Sequence, residues 1–178
     1  LFMVWEPVPV ESLVEWGTAM SAHPSVAVGL VALQALLLAL ALPGTLMIWV
    51  VAPVYTPALA ALILTTGSVL GALGAYGISR HVRGDSPSRG FNGRIISLLR
   101  KRNDLFVQLL IRVVPGFPHS VINYGAGMLR LPLGTFLVAA TLGLAVKQFV
   151  YTSAIRAMLE MGTGEEGIGI CSLTPLFF

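Results

Sequence analysis

Charge is what this sequence has least of. Among 178 residues only 11% are Asp, Glu, Lys or Arg, while 56% are hydrophobic, and the mean hydropathy is +0.84. From Trp16 to Ser79 there is no Lys, Arg, Asp or Glu at all. So little ionic surface excludes an ordinary water-soluble domain, and an integral membrane protein is the class to expect. Cysteine is nearly absent too: Cys171 stands alone, which excludes an internal disulfide and a cysteine-built metal site. Enzyme signatures are missing. His119-Ser120 has no accompanying acid, there is no H-E-x-x-H, G-x-S-x-G or P-loop, and Glu160, Glu165 and Glu166 lie in a glycine-rich tail with no histidine near them. The chain is therefore not read as an enzyme, and neither a cofactor nor a metal is expected. The net charge of +3 is carried by a local patch, because seven of the eleven basic residues fall between Arg80 and Arg102. Nucleic acid is not the partner that pattern suits.

What the sequence does have is long apolar text with punctuation. Residues 1–23 mix Trp5, Trp16, prolines and glutamates and read as an interfacial lead-in. Residues 24–42 read as a spanning helix, since a signal peptide would have a shorter apolar core behind a basic region. Pro43, Gly44, Pro53 and Pro57 then break a segment that stays uncharged, which predicts a re-entrant hairpin at about 43–57. A second long helix over 58–79 carries Gly67, Gly71, Gly74 and Gly77 at one-turn spacing, a face on which another helix can pack closely.

The polar connection 80–104 includes a partly amphipathic stretch, with Phe91, Ile95, Leu98 and Leu99 on one face and Arg94, Ser97 and Lys101 on another. Its basic character places it in the cytoplasm. A second hairpin is expected at about 105–129, broken at Pro115, Gly116 and Pro118, followed by a last helix ending near Ile155 and a tail over 157–178. Residues 24–156 thus form one all-α membrane domain. Matching Pro43-Gly44 with Pro115-Gly116 gives an inverted repeat of two opposed hairpins, the plan in which broken helices meet near the midplane.

Arg112 lies well inside an apolar run, where an arginine costs about 2.5 to 3.5 kcal/mol and needs a partner or a wet cavity. No acid lies between Asp104 and Glu160. Its partner is then a backbone carbonyl, a distant carboxylate or a ligand phosphate held by its planar fork; edge snorkelling is the plainer alternative. Asn123 and Tyr124 follow the break, with Asn123 suited to stapling freed carbonyls. His119 is either a proton carrier or simply wetted at a hairpin tip. Lys147 and Gln148 are expected near the outer third of the last helix, with the lysine snorkelling.

The stretch "LIRVVPGFPHSVINYGAGMLRLPLGTFLVAATLG" resembles the signature of the DedA superfamily, also called the SNARE-associated Golgi protein or VTT-domain family, in its Tvp-like branch. Arg112, Pro115, Pro118, Asn123, Tyr124, Gly127 and Phe136 carry the likeness, and "LPGTLMIWVVAPVYTP" and "GSVLGALGAYGISRHVRGD" extend it over roughly 35–155. The resemblance implies opposed re-entrant hairpins and a role in moving lipids between leaflets, with phospholipids or polyprenyl phosphate as partners. The chain departs from it in having no acid between Glu15 and Asp85, Pro118-His119 where a second arginine often follows, and "GLAVKQF" where a proline is usual.

The function expected is a lipid transporter or scramblase in which Arg112, with Arg80, Arg130, His119, Asn123 and Tyr124, lines a cavity between hairpins. A small-anion or solute transporter and a non-transporting scaffold are the alternatives. The location expected is the bacterial cytoplasmic membrane, with Golgi or ER membrane as the alternative, and self-association into a homo-oligomer is left open.

Overall fold

The computed structural model describes residues 23–81, 91–102, 104–114 and 116–162. Among these the secondary structure is entirely helical: α1 (Pro24–Ala39), a 3-10 turn (Gly44–Leu46), α2 (Met47–Val51), α3 (Pro57–His81), α4 (Phe91–Lys101), α5 (Leu105–Val113), α6 (His119–Met128) and α7 (Leu133–Gly162). Among the described residues only α3 and the Leu133–Leu159 part of α7 are long and apolar enough to cross a membrane, by length and composition. Pro115 lies outside the described residues, as do the lead-in to residue 22, residues 82–90 and 103 of the basic connection, and the tail from 163.

The first helix is shorter than its hydrophobicity suggests. Pro24 begins α1, where a missing N–H does no harm. Its end is a Schellman-type cap: Ala41 takes a left-handed φ of 60°, its N–H donates to the Leu38 carbonyl at 3.3 Å, and the Leu42 N–H donates to the Leu37 carbonyl at 2.8 Å. Pro43 then prevents the helix from resuming. Sixteen residues reach about 24 Å, short of a hydrocarbon core of about 30 Å. The expected span at 24–42 is therefore corrected to a shorter helix.

Packing explains where the chain goes next. Gly67 faces Val31 and Gln34, Gly71 faces Ala35 and Leu38, and Gly74 faces Ala39, so α1 and α3 run in the same direction. Two parallel helices in sequence require the link to travel back along them. Residues 40–56 do so, with Met47, Ile48, Val51, Ala52 and Tyr55 buried against Ala60, Ile63 and Leu64 of α3. The return arm thus pairs with α1, and the turn-back is wider than 43–57.

α7 runs antiparallel to α3: the Thr152 hydroxyl donates to the Pro57 carbonyl at 3.1 Å, while at the other end the Tyr76 and Phe136 rings lie 5.2 Å apart. α6 follows α3, with Gly127 against Tyr76 and Ser79 and the Tyr124 hydroxyl donating to the Ala39 carbonyl at 2.6 Å. It ends in the same cap as α1. Arg130 has φ 50°, and the N–H groups of Arg130 and Leu131 donate to Gly127 and Ala126 at 3.0 Å. The sequence shows the match as "LALPGT" and "LRLPLGT". The same capping motif thus recurs ahead of Pro43 and of Pro132.

α4 buries Ile95 and Leu99 against α6, but Leu98, expected on that face, is exposed. α7 extends to Gly162, seven residues past the expected end.

A Cβ at Gly71 would stand 2.7 Å from the Ala35 carbonyl oxygen and 2.7 Å from Leu38 Cβ, whereas at Gly77 it would meet nothing within 4 Å. Gly71→Ala is expected to lose about 1 to 3 kcal/mol and Gly77→Ala to be neutral or slightly stabilising. Denaturant titration in detergent micelles, followed by circular dichroism, checks the pair; equal effects would show that α1 does not pack on the glycine face.

Candidate substrate site

Two chain breaks meet at a small polar chamber. The first supplies Gly44, Thr45 and Ile48, the second His119 and Asn123 from the first turns of α6. α1 contributes Gln34, α3 contributes Ser68, and α7 contributes Leu144, Lys147 and Gln148. Ser68 and Lys147 sit near the middles of α3 and α7, so the chamber lies midway along the two longest helices. Its volume is about 30 Å³, room for a water-sized group. Thr45 at its rim is exposed.

The lining is polar where lipid would demand otherwise. Gln34, Ser68, Asn123 and Gln148 are all buried. The Gln34 amide donates to the Ser68 hydroxyl at 3.1 Å, and the Oε1 atoms of Gln34 and Gln148 have no hydrogen-bond partner among the described residues. Lys147 Nζ lies 3.1 Å from His119 Nε2. With Lys147 as an ammonium, which can only donate, the imidazole nitrogen accepts and His119 is neutral. Two positive charges at that separation would repel by about 5 kcal/mol at an effective dielectric of about 20. Among the described residues no carboxylate lines the chamber.

The expected position of Lys147 at the outer third, snorkelling, is corrected. The longer α7 puts it mid-helix, and its Nζ turns inward to His119. Gln34 and Ser68 were missed altogether. The signal for Gln34 was available as a single amide in "LVALQALLLAL", because a buried amide in lipid requires a partner.

Arg112 is 1% exposed. Its Nη1 donates to the Gln108 carbonyl one turn earlier at 3.1 Å, and the guanidinium stacks over Phe136, 4.7 Å from the ring centroid. Gly143 permits this approach, since a Cβ there would come within 2.9 Å of Arg112 Cβ. Nη2 is buried with no hydrogen-bond partner among the described residues, a condition that costs about 1 to 3 kcal/mol or more for a charged group. Arg112 is not among the residues lining the chamber; from α5 it packs on α7 at Phe136 and Gly143, within a turn of Leu144 and Lys147, which do line it.

Other expected site residues separate. Arg80 ends α3 and Arg130 follows α6, both exposed, and Arg130 is the left-handed residue of a helix cap. Asn123 reaches the chamber, while the cross-helix staple is made by Tyr124, through Ala39. Pro43 and Pro118 precede the 3-10 turn and α6 as their N-terminal flanking residues, and Gly116 takes φ 94° between α5 and α6. Among the described residues no group of three His, Cys, Asp or Glu could hold a metal ion.

A buried cation that served only stability would be better replaced by a hydrocarbon of similar volume. Arg112→Met is expected to keep or raise the unfolding midpoint in micelles, whereas Phe136→Ala loses about 3 to 5 kcal/mol by opening a cavity. Severe destabilisation by Arg112→Met would assign the guanidinium a structural task instead.

No curated protein and no solved structure matches the chain. A family model described as the VTT domain matches residues 42–157, more than half of the chain and the helical core without α1 and the last turn of α7. With its two long apolar helices and polar interior, the chain belongs to the VTT-domain family, that of the membrane-associated DedA and SNARE-associated Golgi proteins.

Proposed function

We propose that this protein moves lipids with anionic phosphate heads between the leaflets of a membrane, as a transporter or scramblase. One observation carries the reading: the Arg112 guanidinium is buried in the apolar interior with Nη2 unpartnered among the described residues, beside a polar chamber lined without acids. A phosphate is the group whose charge and geometry answer such a donor.

In this reading α1 with its return arm, and α5 with α6, enter the bilayer from opposite faces as re-entrant hairpins in an inverted repeat, tolerated because their broken backbone surrounds a wet cavity. Arg80 and Arg130 draw anionic headgroups to the basic side, which faces the cytoplasm. A groove of about 520 Å³ between α3 and α7, lined by Ala61, Leu62, Thr65, Val69, Ala145 and Phe149 among others, suits an acyl chain. A bacterial cytoplasmic membrane is the location that fits polyprenyl phosphate as well as phospholipid. The small chamber volume favours a second reading, transport of a small anion.

Reconstituted vesicles carrying a fluorescent phospholipid, bleached from outside, test the proposal. The native protein is expected to exchange label between leaflets, and Arg112→Ala to slow exchange at least tenfold. Exchange no faster than in empty vesicles, or equal in both proteins, would remove the lipid reading. Uptake of a radiolabelled oxyanion without lipid exchange would establish the second.

A further inference from the structure

The contact between Lys147 and His119 has a chemical consequence for what the chamber takes up. We propose that the chamber binds the anionic oxygen of a phosphodiester together with one proton, at Lys147 and His119. The inference rests on the transport reading only for its class of ligand.

At 3.1 Å the two side chains share one N–H, given by Lys147 and received by the Nε2 lone pair of His119. A second proton is disfavoured while nothing negative lies between them. An arriving anionic oxygen changes this. Lys147 turns its N–H to the anion, the Nε2 lone pair is released, and it takes a proton from bulk water to give a second N–H donor to the same oxygen. One negative charge and one positive charge enter, so the charge of the chamber stays as it was.

The other groups facing the pair agree with this assignment. From α1 and α3 come Gln34 and Ser68, neither of which titrates. From α7 comes the Tyr151 ring, 5.7 Å from Lys147 Nζ, and from α5 the positive field of Arg112 reaches His119. Among the described residues the nearby charge is positive.

Gln34 supplies the neutral donor. A serine hydroxyl both gives and accepts, so the Gln34 amide can turn over, take the Ser68 hydroxyl on Oε1 and aim Nε2 into the chamber. That rotation also ends the isolation of its buried Oε1. The about 30 Å³ of space admits the oxygen rather than the whole phosphate, and the exposed rim at Thr45 leaves the remainder of the group outside.

Titration calorimetry on the purified full chain in dodecyl maltoside decides the matter, in two buffers of different protonation enthalpy at pH 6 and pH 8. The probes are dimethyl phosphate and dihexanoyl phosphatidylglycerol, phosphodiesters that do not themselves titrate in that range. The native protein is expected to bind at least tenfold tighter at pH 6, taking up about one proton per anion. Binding of both probes points to a free anion as a ligand, and binding of the lipid alone to a headgroup. Lys147→Met is expected to weaken binding at least tenfold and Lys147→Arg to retain it. His119→Gln is expected to retain weaker binding without proton uptake.

Should Lys147→Met fail to fold, His119→Gln and the native pH series still decide. Binding without proton uptake, proton uptake that survives His119→Gln, or no binding of either probe overturns the proposal. Lipid exchange that persists despite such a result leaves the transport reading intact. Proton-linked binding without exchange removes transport and keeps the chamber's ligand.

Discussion

The structure depends on holding positive charge in a low-dielectric interior with no acid beside it among the described residues. An arginine and a lysine are tolerated among apolar helices only if each has acceptors or aromatic faces, and the fold supplies both: the Gln108 carbonyl and the Phe136 ring for Arg112, the imidazole of His119 and the more distant ring of Tyr151 for Lys147. These partners neutralise geometry, not charge. The interior remains electropositive, and the proposed recognition of phosphate rests on that property.

Close helix approach makes room for those partners. α1 rests on the glycine face of α3, and Gly143 lets α5 draw near enough to α7 for a guanidinium to cross the gap. Small residues are favoured at such crossings in lipid because no hydrophobic force draws helices together there, and van der Waals contact must substitute. Where the glycines bring the backbones together, Gln34 meets Ser68. Polar interior and small-residue interface are thus one construction.

Much of this was legible in the sequence. The two long apolar helices, the helix in the basic connection and the family followed from hydropathy, from the charge distribution and from the ordered motif around Arg112. Three things were not. Hydropathy cannot tell a helix that crosses the bilayer from one that stops short, because both are uniformly apolar, and the end of α1 is fixed by a backbone cap at Ala41 that an alanine does not advertise. The mid-helix position of Lys147 depended on how far α7 runs, and its downstream boundary carries no strong stop before Gly162. The pairing of Lys147 with His119 is a contact across 28 residues, and neither side chain contains a local hint of the other.

The two chain breaks differ in what surrounds their glycines. Gly44 is wedged, with any added methyl meeting Leu38 and Gln34 at 3.0 to 3.2 Å, whereas nothing lies within 4 Å of the corresponding position at Gly116. One elbow is wedged by its neighbours and the other is held only by its own backbone: a side chain at Gly44 must displace Leu38 and Gln34, whereas at Gly116 its cost comes from the left-handed φ of 94° alone.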